Sequence, residues 1–417
     1  MGNIEWKPKK SSSLPLHLQI YNYIKRKILN GEWSIGMKLP SQRNLAKQFD
    51  VNRSTIIMAL EELSADGLIE SKVGSGTTVI NNTWGVLASS PPPNWIDYVR
   101  SGIHKPNNNS VQKINEAETN PHIIRLGTGE LSPELLSCNQ LSKLLQMDMR
   151  SNLSLGYEGP KGSIHLRETI CDYLKGKGIE TSPSSILIVS GGLQALQLIS
   201  IGLLQRGSVI FHESPSYLNS IHVFQSAGMN LFGIPMDEEG IKYASIGRLK
   251  QQHNPALIYT IPSFHNPTGT LMSERRRKQL LEDCQKASLP IIEDDVYGDL
   301  WFEQPPPKPL KANDKQGSVL YIGSVSKTFS PGLRIGWIVG PEPVINRLAD
   351  IKMQTDYGSS SISQFLVNKW LKNGYEEDLT LVRSELKCRR DYMIEILNTY
   401  FSNIATWNIP SGDFIFG

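Results

Sequence analysis

Residues 319–337 read VLYIGSVSKTFSPGLRIGW. The apolar run Val319 to Ile322 has the length of a buried strand and is too short for a core helix. It ends at once in Gly323-Ser324-Val325-Ser326-Lys327, which sets a lysine directly behind a strand. Taken alone, Ser-x-Ser-Lys is ordinarily a solvated surface run. Three other short runs end in residues just as distinctive. Ser185 to Val189 leads into Ser190-Gly191-Gly192, Ala256 to Ile261 into Ser263-Phe264-His265-Asn266-Pro267-Thr268-Gly269, and Pro290 to Ile292 into Glu293-Asp294-Asp295. From Ile123 onward such runs alternate with helical stretches, the pattern of an α/β fold whose sheet carries helices on both faces. Open α/β sheets bind ligands at the carboxyl ends of their strands, so the four turns are expected to line one pocket.

Together the turns carry what pyridoxal 5'-phosphate demands of a protein. A lysine must form the imine, and Lys327 stands at a strand end, where burial and a nearby cation depress an ammonium pKa. A carboxylate must keep the pyridine nitrogen protonated so that the ring is an electron sink, and Asp294 is placed for that. Asn266 and Tyr297 are donors for the ring oxygen. The phosphate needs backbone N–H groups at a helix start, hydroxyls and a cation, which Gly191, Gly192, Ser324, Ser326 and Arg334 supply. Tyr217, after Glu213-Ser214-Pro215, is expected to lie flat on the ring.

In chain order, SGGLQAL (190–196), SPSY (214–217), HNPTG (265–269), EDDVYGDL (293–300) and GSVSKTFSPGLRIGW (323–337) closely resemble fold-type I aminotransferases. That resemblance implies Lys327 as the imine lysine, Asp294 at the pyridine nitrogen, Asn266 and Tyr297 at the ring oxygen, and Arg334 on the phosphate. Tyr157, in LGYEGPKGSIHLR, resembles the tyrosine that such proteins extend to the neighbouring subunit's phosphate, which implies a homodimer. One departure concerns the small C-terminal domain. Pro410-Ser411-Gly412-Asp413 begins a Pro-x-Gly-Gly-like turn, but the arginine that family uses for a substrate carboxylate has no candidate, so the small domain reads as incomplete.

The N-terminal segment has a different pattern. Leu16, Ile20, Tyr23, Ile24 and Ile28 recur at helical spacing and Gly31 is a natural stop. Ser41 is placed to cap a short helix carrying Leu45, Ala46 and Phe49, and Asp50-Val51 turns into a third helix opening near Asn52 with Ile56, Ala59, Leu60 and Leu63 on its inner face. Residues 68–72 and 77–80, joined by Val73-Gly74-Ser75-Gly76, read as a hairpin. Two helices across a tight turn, then a β-ribbon, suit DNA: a helix fits the major groove and a ribbon lies along the adjacent backbone. The run LPSQRNLAKQFDVNRSTIIMALEELSADGLIESKVGSGTTV (39–79) strongly resembles the winged helix-turn-helix of the GntR family. Its DNA contacts then fall on Arg43, Asn52, Arg53, Ser54 and Thr55, with Lys72, Gly74 and Thr77 at the wing, Arg53 being the expected reader of a guanine edge. A head of this kind on a fold-type I domain resembles the MocR group of regulators.

Charge agrees with this division. The net charge is +3, but residues 1–80 hold 11 Lys and Arg against 7 Asp and Glu, leaving 32 against 33 elsewhere, so the excess sits on the head. The expected domains are a winged helix-turn-helix over 12–80, a linker over 81–120 with Ser89-Ser90-Pro91-Pro92-Pro93 and Asn107-Asn108-Asn109-Ser110, and the cofactor domain over 121–417. No run spans a bilayer and no leader opens the chain, so a cytoplasmic protein without a membrane partner is expected. Four scattered cysteines have no metal-ligand spacing, read as buried thiols, and leave no metal site. Three functions fit. The cofactor domain senses an amine or amino-acid effector and tunes binding to a double-stranded DNA operator; or it is a working transaminase with an appended head; or it is a dimerisation scaffold. The basic head disfavours the plain enzyme, and the full cofactor set disfavours the scaffold.

Overall fold

The computed structural model describes residues 6–72, 76–80, 101, 109–118, 120, 122–124, 127, 129–136, 138–146, 156–413 and 415. The chain forms two compact units, Met1–Gly102 and Ile103–Gly417.

In the first unit, α1 (Leu16–Leu29), α2 (Gln42–Phe49) and α3 (Arg53–Ala65) precede a hairpin of β1 (Ile69–Lys72) and β2 (Gly76–Val79). The apolar stripe of each helix turns inward. Ile20, Ile24 and Ile28 of α1 meet Leu45 and Phe49 of α2 and Ile56, Ala59, Leu60 and Leu63 of α3, and Val79 of the hairpin closes the same core. Ser41 caps α2, its hydroxyl accepting from Asn44 N at 3.3 Å. Asp50 ends α2 in the left-handed region at φ 56°, which makes the turn into α3 tight. Lys25 and Tyr21 of α1 both reach Asp66 just past α3, at 2.7 and 2.5 Å, tying the outer helices together.

The second unit is built on an eight-stranded sheet in the order β3-β10-β9-β8-β7-β4-β5-β6. The strands are β3 (Ile186–Val189), β4 (Val209–Ser214), β5 (Asn230–Asp237), β6 (Gly240–Ile241), β7 (Leu257–Thr260), β8 (Ile291–Asp294), β9 (Val319–Ser324) and β10 (Gly336–Val339). Strands β9, β8, β7, β4 and β5 are mutually parallel, and β10 runs against both of its neighbours. β3, β7, β8, β9 and β10 are buried along their whole length, as expected of a sheet covered on both faces. Apolar cores flank it, one gathering Leu196, Ile199, Ile292 and Ile322, another Leu166, Ile170, Trp337 and Trp370, and another Phe211, Ile258, Leu280 and Ile291.

The structure departs from the sequence reading in three places. β8 continues through Asp294 and β9 through Ser324, because parallel neighbours pair those backbones although their side chains are polar. A helix, Asn109–Glu118, occupies part of the stretch read as a loose tether. The cysteines are not uniformly buried: Cys284 is, Cys171 is half-buried and Cys388 is exposed on the long helix Tyr375–Tyr400. The segment 410–413 is anchored, with Phe302 N donating to Ser411 O at 3.0 Å and Arg390 Nη1 to Pro410 O at 2.7 Å. The linker motifs at 89–93 and 107–108, the aromatic stretch at 95–99 and the end of the turn at 414, 416 and 417 lie outside the described residues. Among the described residues no helix is long and apolar enough to cross a membrane.

Candidate cofactor site and nucleic-acid interface

The head presents one polar edge. Asn52 is the N-cap of α3 and makes no capping bond with its side chain, while Arg53 and Ser54 open the helix on the exposed side and Thr55 is half-buried. Arg53 is not a loose side chain. Its Nε and Nη2 both donate to Gln42 Oε1, at 3.2 and 3.0 Å, so the first residue of α2 braces the first residue of α3. Gln42 was not singled out from the sequence; its place beside Ser41 at the opening of α2 was the available signal. Arg43 is exposed next to it. On the hairpin, Lys72 is exposed and lies 3.1 Å from Glu70, and Thr77 bonds Ser71 across the strands at 2.8 Å. Gly74 lies outside the described residues.

In the second unit topology gathers the polar turns. Parallel β7, β8 and β9 all end on one edge, and β3, antiparallel to β10, ends there too. Since β10 begins where its neighbours end, Arg334, two residues ahead of it, falls beside Ser190 and Gly191 behind β3. Arg334 Nη2 donates to Ser190 O at 2.8 Å. Gly191 has φ +87°, a conformation that favours glycine, and a Cβ there would stand 2.4 Å from Arg334 Nη2 and displace the guanidinium. Gly191 is also the N-cap of the helix Gly192–Leu203, whose free N–H groups and dipole favour an anion. The Ser324 hydroxyl donates to Ile335 O at 3.1 Å and lies 2.9 Å from the Ser326 hydroxyl, which folds the segment before Lys327 against the start of β10.

Lys327 Nζ donates to Gly129 O and lies 5.8 Å from the centroid of the Tyr297 ring. Burial lowers its pKa below the ordinary lysine value, against the pull of Asp413, Glu130 and Asp294 and with Arg334 adding to the depression. Asn266 Nδ2 donates to the Tyr297 hydroxyl at 3.0 Å, so the two expected ring-oxygen donors are in contact. Tyr217 is half-buried, and burial raises its pKa, with Asp294 adding to the rise. Asp294 is 5% exposed, and burial pushes its pKa up to about 6 while a hydrogen bond from Tyr259 opposes the rise. One oxygen, Oδ2, accepts from Tyr259 at 2.8 Å; the other, Oδ1, is buried with no partner. A buried carboxylate oxygen left without a donor is costly unless a ligand supplies one, and a protonated pyridine nitrogen is such a donor. With the Gly191–Arg334 cradle and the depressed Lys327, the residues fit pyridoxal 5'-phosphate.

Tyr157 is 81% exposed and packs edge-on against Tyr357, ring centroids 4.8 Å apart. Sequence reasoning missed Tyr259, which lay inside a run taken only as a strand, and gave no role to Glu213 and His265. Both are buried, with His265 Nε2 3.1 Å from Glu213 Oε2, next to Asn266 in the chain. Thr260 Oγ1 and Ile261 N also donate to Glu213, at 2.5 and 2.9 Å. Burial opposes ionisation of Glu213, but His265 and these donors hold its pKa below the usual carboxylate value.

Comparison with known proteins is consistent with both halves. The family described as aminotransferase class I and II matches residues 121–413, and that described as bacterial regulatory proteins, gntR family, matches residues 16–79. Over 411 residues the chain is 59% identical to the uncharacterized HTH-type transcriptional regulator YisV of Bacillus subtilis (strain 168), covering 98% of this chain and 85% of that protein. It is 39% identical to the HTH-type transcriptional regulator NorG of Staphylococcus aureus (strain USA300), covering 91% and 85%. Among solved structures, kynurenine aminotransferase of Pyrococcus horikoshii, in complex with PMP, superposes with a TM-score of 0.69 at 32% identity, covering 74% of this chain and 78% of that one. LysN, the α-aminoadipate aminotransferase of Thermus thermophilus, complexed with N-(5'-phosphopyridoxyl)-L-leucine, gives 0.68 at 27%, covering 76% and 81%.

Proposed function

We propose, because this chain belongs to the MocR-type regulators, in which a GntR helix-turn-helix is joined to a class I/II aminotransferase domain, that it is a transcriptional regulator governed by an amine or amino-acid effector. The effector acts at the pyridoxal 5'-phosphate site and changes affinity for a double-stranded operator. The observation that carries this reading is the orphaned Asp294 Oδ1 in one site with Lys327 and Arg334, on a chain whose head braces Arg53 at the start of α3.

Bound pyridoxal 5'-phosphate supplies an electrophilic carbon with which amines condense reversibly, and a ring that withdraws electrons when its nitrogen is protonated. The chain's own residues do the rest. Lys327, its ammonium destabilised by burial, offers a free amine nearer neutral pH than an exposed lysine does. Asp294 would accept the ring N–H, Asn266 and Tyr297 would donate to the ring oxygen, and Tyr217 would cover the ring. Arg334, Ser324, Ser326 and the helix start at Gly191 and Gly192 hold the phosphate. Lys327 would hold the cofactor and would be released as a free amine when an effector amine takes its place, so the lysine is the point at which binding would become a change of shape. Tyr157 reaches the phosphate of a second copy, making the working species a homodimer whose core spaces two heads on half-sites. Lys72, Thr77 and Gly74 lie along the phosphate backbone, and Arg43, Asn52, Arg53, Ser54 and Thr55 meet the groove. A protein acting on an operator works in the cytoplasm.

The test uses full-length, cofactor-loaded protein. A panel of amino acids and amines is screened for a change in cofactor absorbance, and each active compound is added to an operator-binding titration. Operator affinity is expected to shift with the wild type and to stay constant with Lys327→Ala. An unchanged operator affinity for every compound that alters the absorbance of the wild type would leave the enzyme or scaffold reading instead.

A further inference from the structure

Tyr259 and Asp294 belong to neighbouring parallel strands, β7 and β8, with Tyr259 level with Ile292. Side chains alternate along a strand, so Asp294, two residues beyond Ile292, faces the same side as Tyr259. Two residues of strand advance about 6.6 Å, a span that a phenol ring and its hydroxyl can cover. The observed bond from Tyr259 Oη to Asp294 Oδ2 is 2.8 Å, and both residues are buried, Tyr259 wholly so. Such a contact is not needed to fill the core: phenylalanine has nearly the same shape, and the hydroxyl would be a burden without a partner. Its effect falls on a carboxylate whose second oxygen has none.

We propose that Tyr259 is a positioning residue of the cofactor site: its hydroxyl, donated to Asp294 Oδ2, holds the carboxylate ionised and leaves Oδ1 as acceptor for the ring N–H. The inference rests on the reading that pyridoxal 5'-phosphate binds at Lys327. A metal-bound histidine held by an outer carboxylate is the analogous arrangement, the outer group setting both orientation and charge of the inner one. The adjacent strand pair offers a control. Tyr321 is equally buried, and its hydroxyl bonds Asp295 Oδ2 at 2.9 Å, one residue along and on the opposite side of β8.

The experiment measures pyridoxamine 5'-phosphate binding to cofactor-free protein from pH 5 to 8, for the wild type, Tyr259→Phe and Tyr321→Phe. Ring N–H binding requires the Asp294 anion, so affinity rises with pH through the carboxyl pKa and then levels off. For the wild type the midpoint is expected near the value of about 6 that burial imposes. Removing the donor raises the midpoint by about one unit, a tenfold weaker binding on the acid side. Tyr321→Phe should leave it in place. With a 15N-labelled ring, the nitrogen shift should report a smaller protonated fraction in Tyr259→Phe than in the wild type. Site-specific 3-fluorotyrosine at 259, a stronger donor of nearly the same size, should move the midpoint the other way, and this keeps the idea testable if Tyr259→Phe does not fold. An unmoved midpoint with an unchanged nitrogen shift, or an equal displacement by Tyr321→Phe, overturns the inference alone. Failure of the wild type to bind the probe at any pH overturns the cofactor reading along with it.

Discussion

At the scale of single residues, the site works through pairs in which one side chain corrects the environment of another. Burial makes Lys327 a good free amine, which suits a cofactor that takes an amine; it also makes Asp294 a poorer anion, an effect that the hydrogen bond from Tyr259 opposes. Gly191 and Arg334 form the matching pair at the phosphate end, the missing Cβ making room for the guanidinium. Among the described residues Lys327 is the lysine that shares this strand edge with Asp294 and Arg334. Lys327→Ala should therefore abolish the borohydride-trappable link to pyridoxal 5'-phosphate while the phosphate contacts still give weak, reversible binding. Mass mapping of the reduced adduct decides the matter, and an adduct on another lysine would move the site.

At the scale of elements, the head divides its contacts between a helix and a hairpin, and the two should behave differently. Arg53 opens α3, braced by Gln42 on α2, so its guanidinium is already oriented for the proposed contact with DNA. Its truncation to alanine should cost roughly 1–3 kcal/mol on operator DNA and relax sequence preference at one base pair. Gln42→Ala should give a smaller loss of the same kind, since it removes the brace and leaves the contact. Lys72 sits on the exposed hairpin with Glu70 as a weak surface partner, so Lys72→Ala should weaken all sequences alike and flatten the salt dependence. Titrations on operator and random DNA at several salt concentrations separate the two patterns; identical losses on both DNAs for both variants would cancel the division.

At the scale of the whole molecule, the proposed regulation is a coupling between two ligands, and coupling is reciprocal. If an effector amine changes operator affinity by some factor, operator DNA must change amine affinity by the same factor. Isothermal titration of the amine into full-length, cofactor-loaded protein, with and without operator, measures this directly. The two factors should agree, and the difference should disappear in Lys327→Ala. Equal amine affinities with and without operator would mean that the cofactor domain does not govern the head.

Much of this molecule is written locally. The inner faces of α1, α2 and α3 follow from helical spacing, the Ser41 cap from residue type, and the strands from short apolar runs that only a covered sheet can bury. The candidate cofactor residues are proposed from turns at or near strand ends, and parallel β7, β8 and β9 deliver those ends to one edge. What the local pattern could not supply is which strand lies beside which. The place of β10 between β3 and β9, running against both, brings Arg334 to Gly191 across more than a hundred residues. The pairing of β7 with β8 gives Asp294 the hydroxyl of Tyr259, and the packing of α2 against α3 gives Arg53 its brace in Gln42. Residue type and spacing set which chemistry is available, since propensity and periodicity act over a few residues. Strand order and register decide which groups meet, because they arise from burial of the whole sheet and have no signature in any single segment.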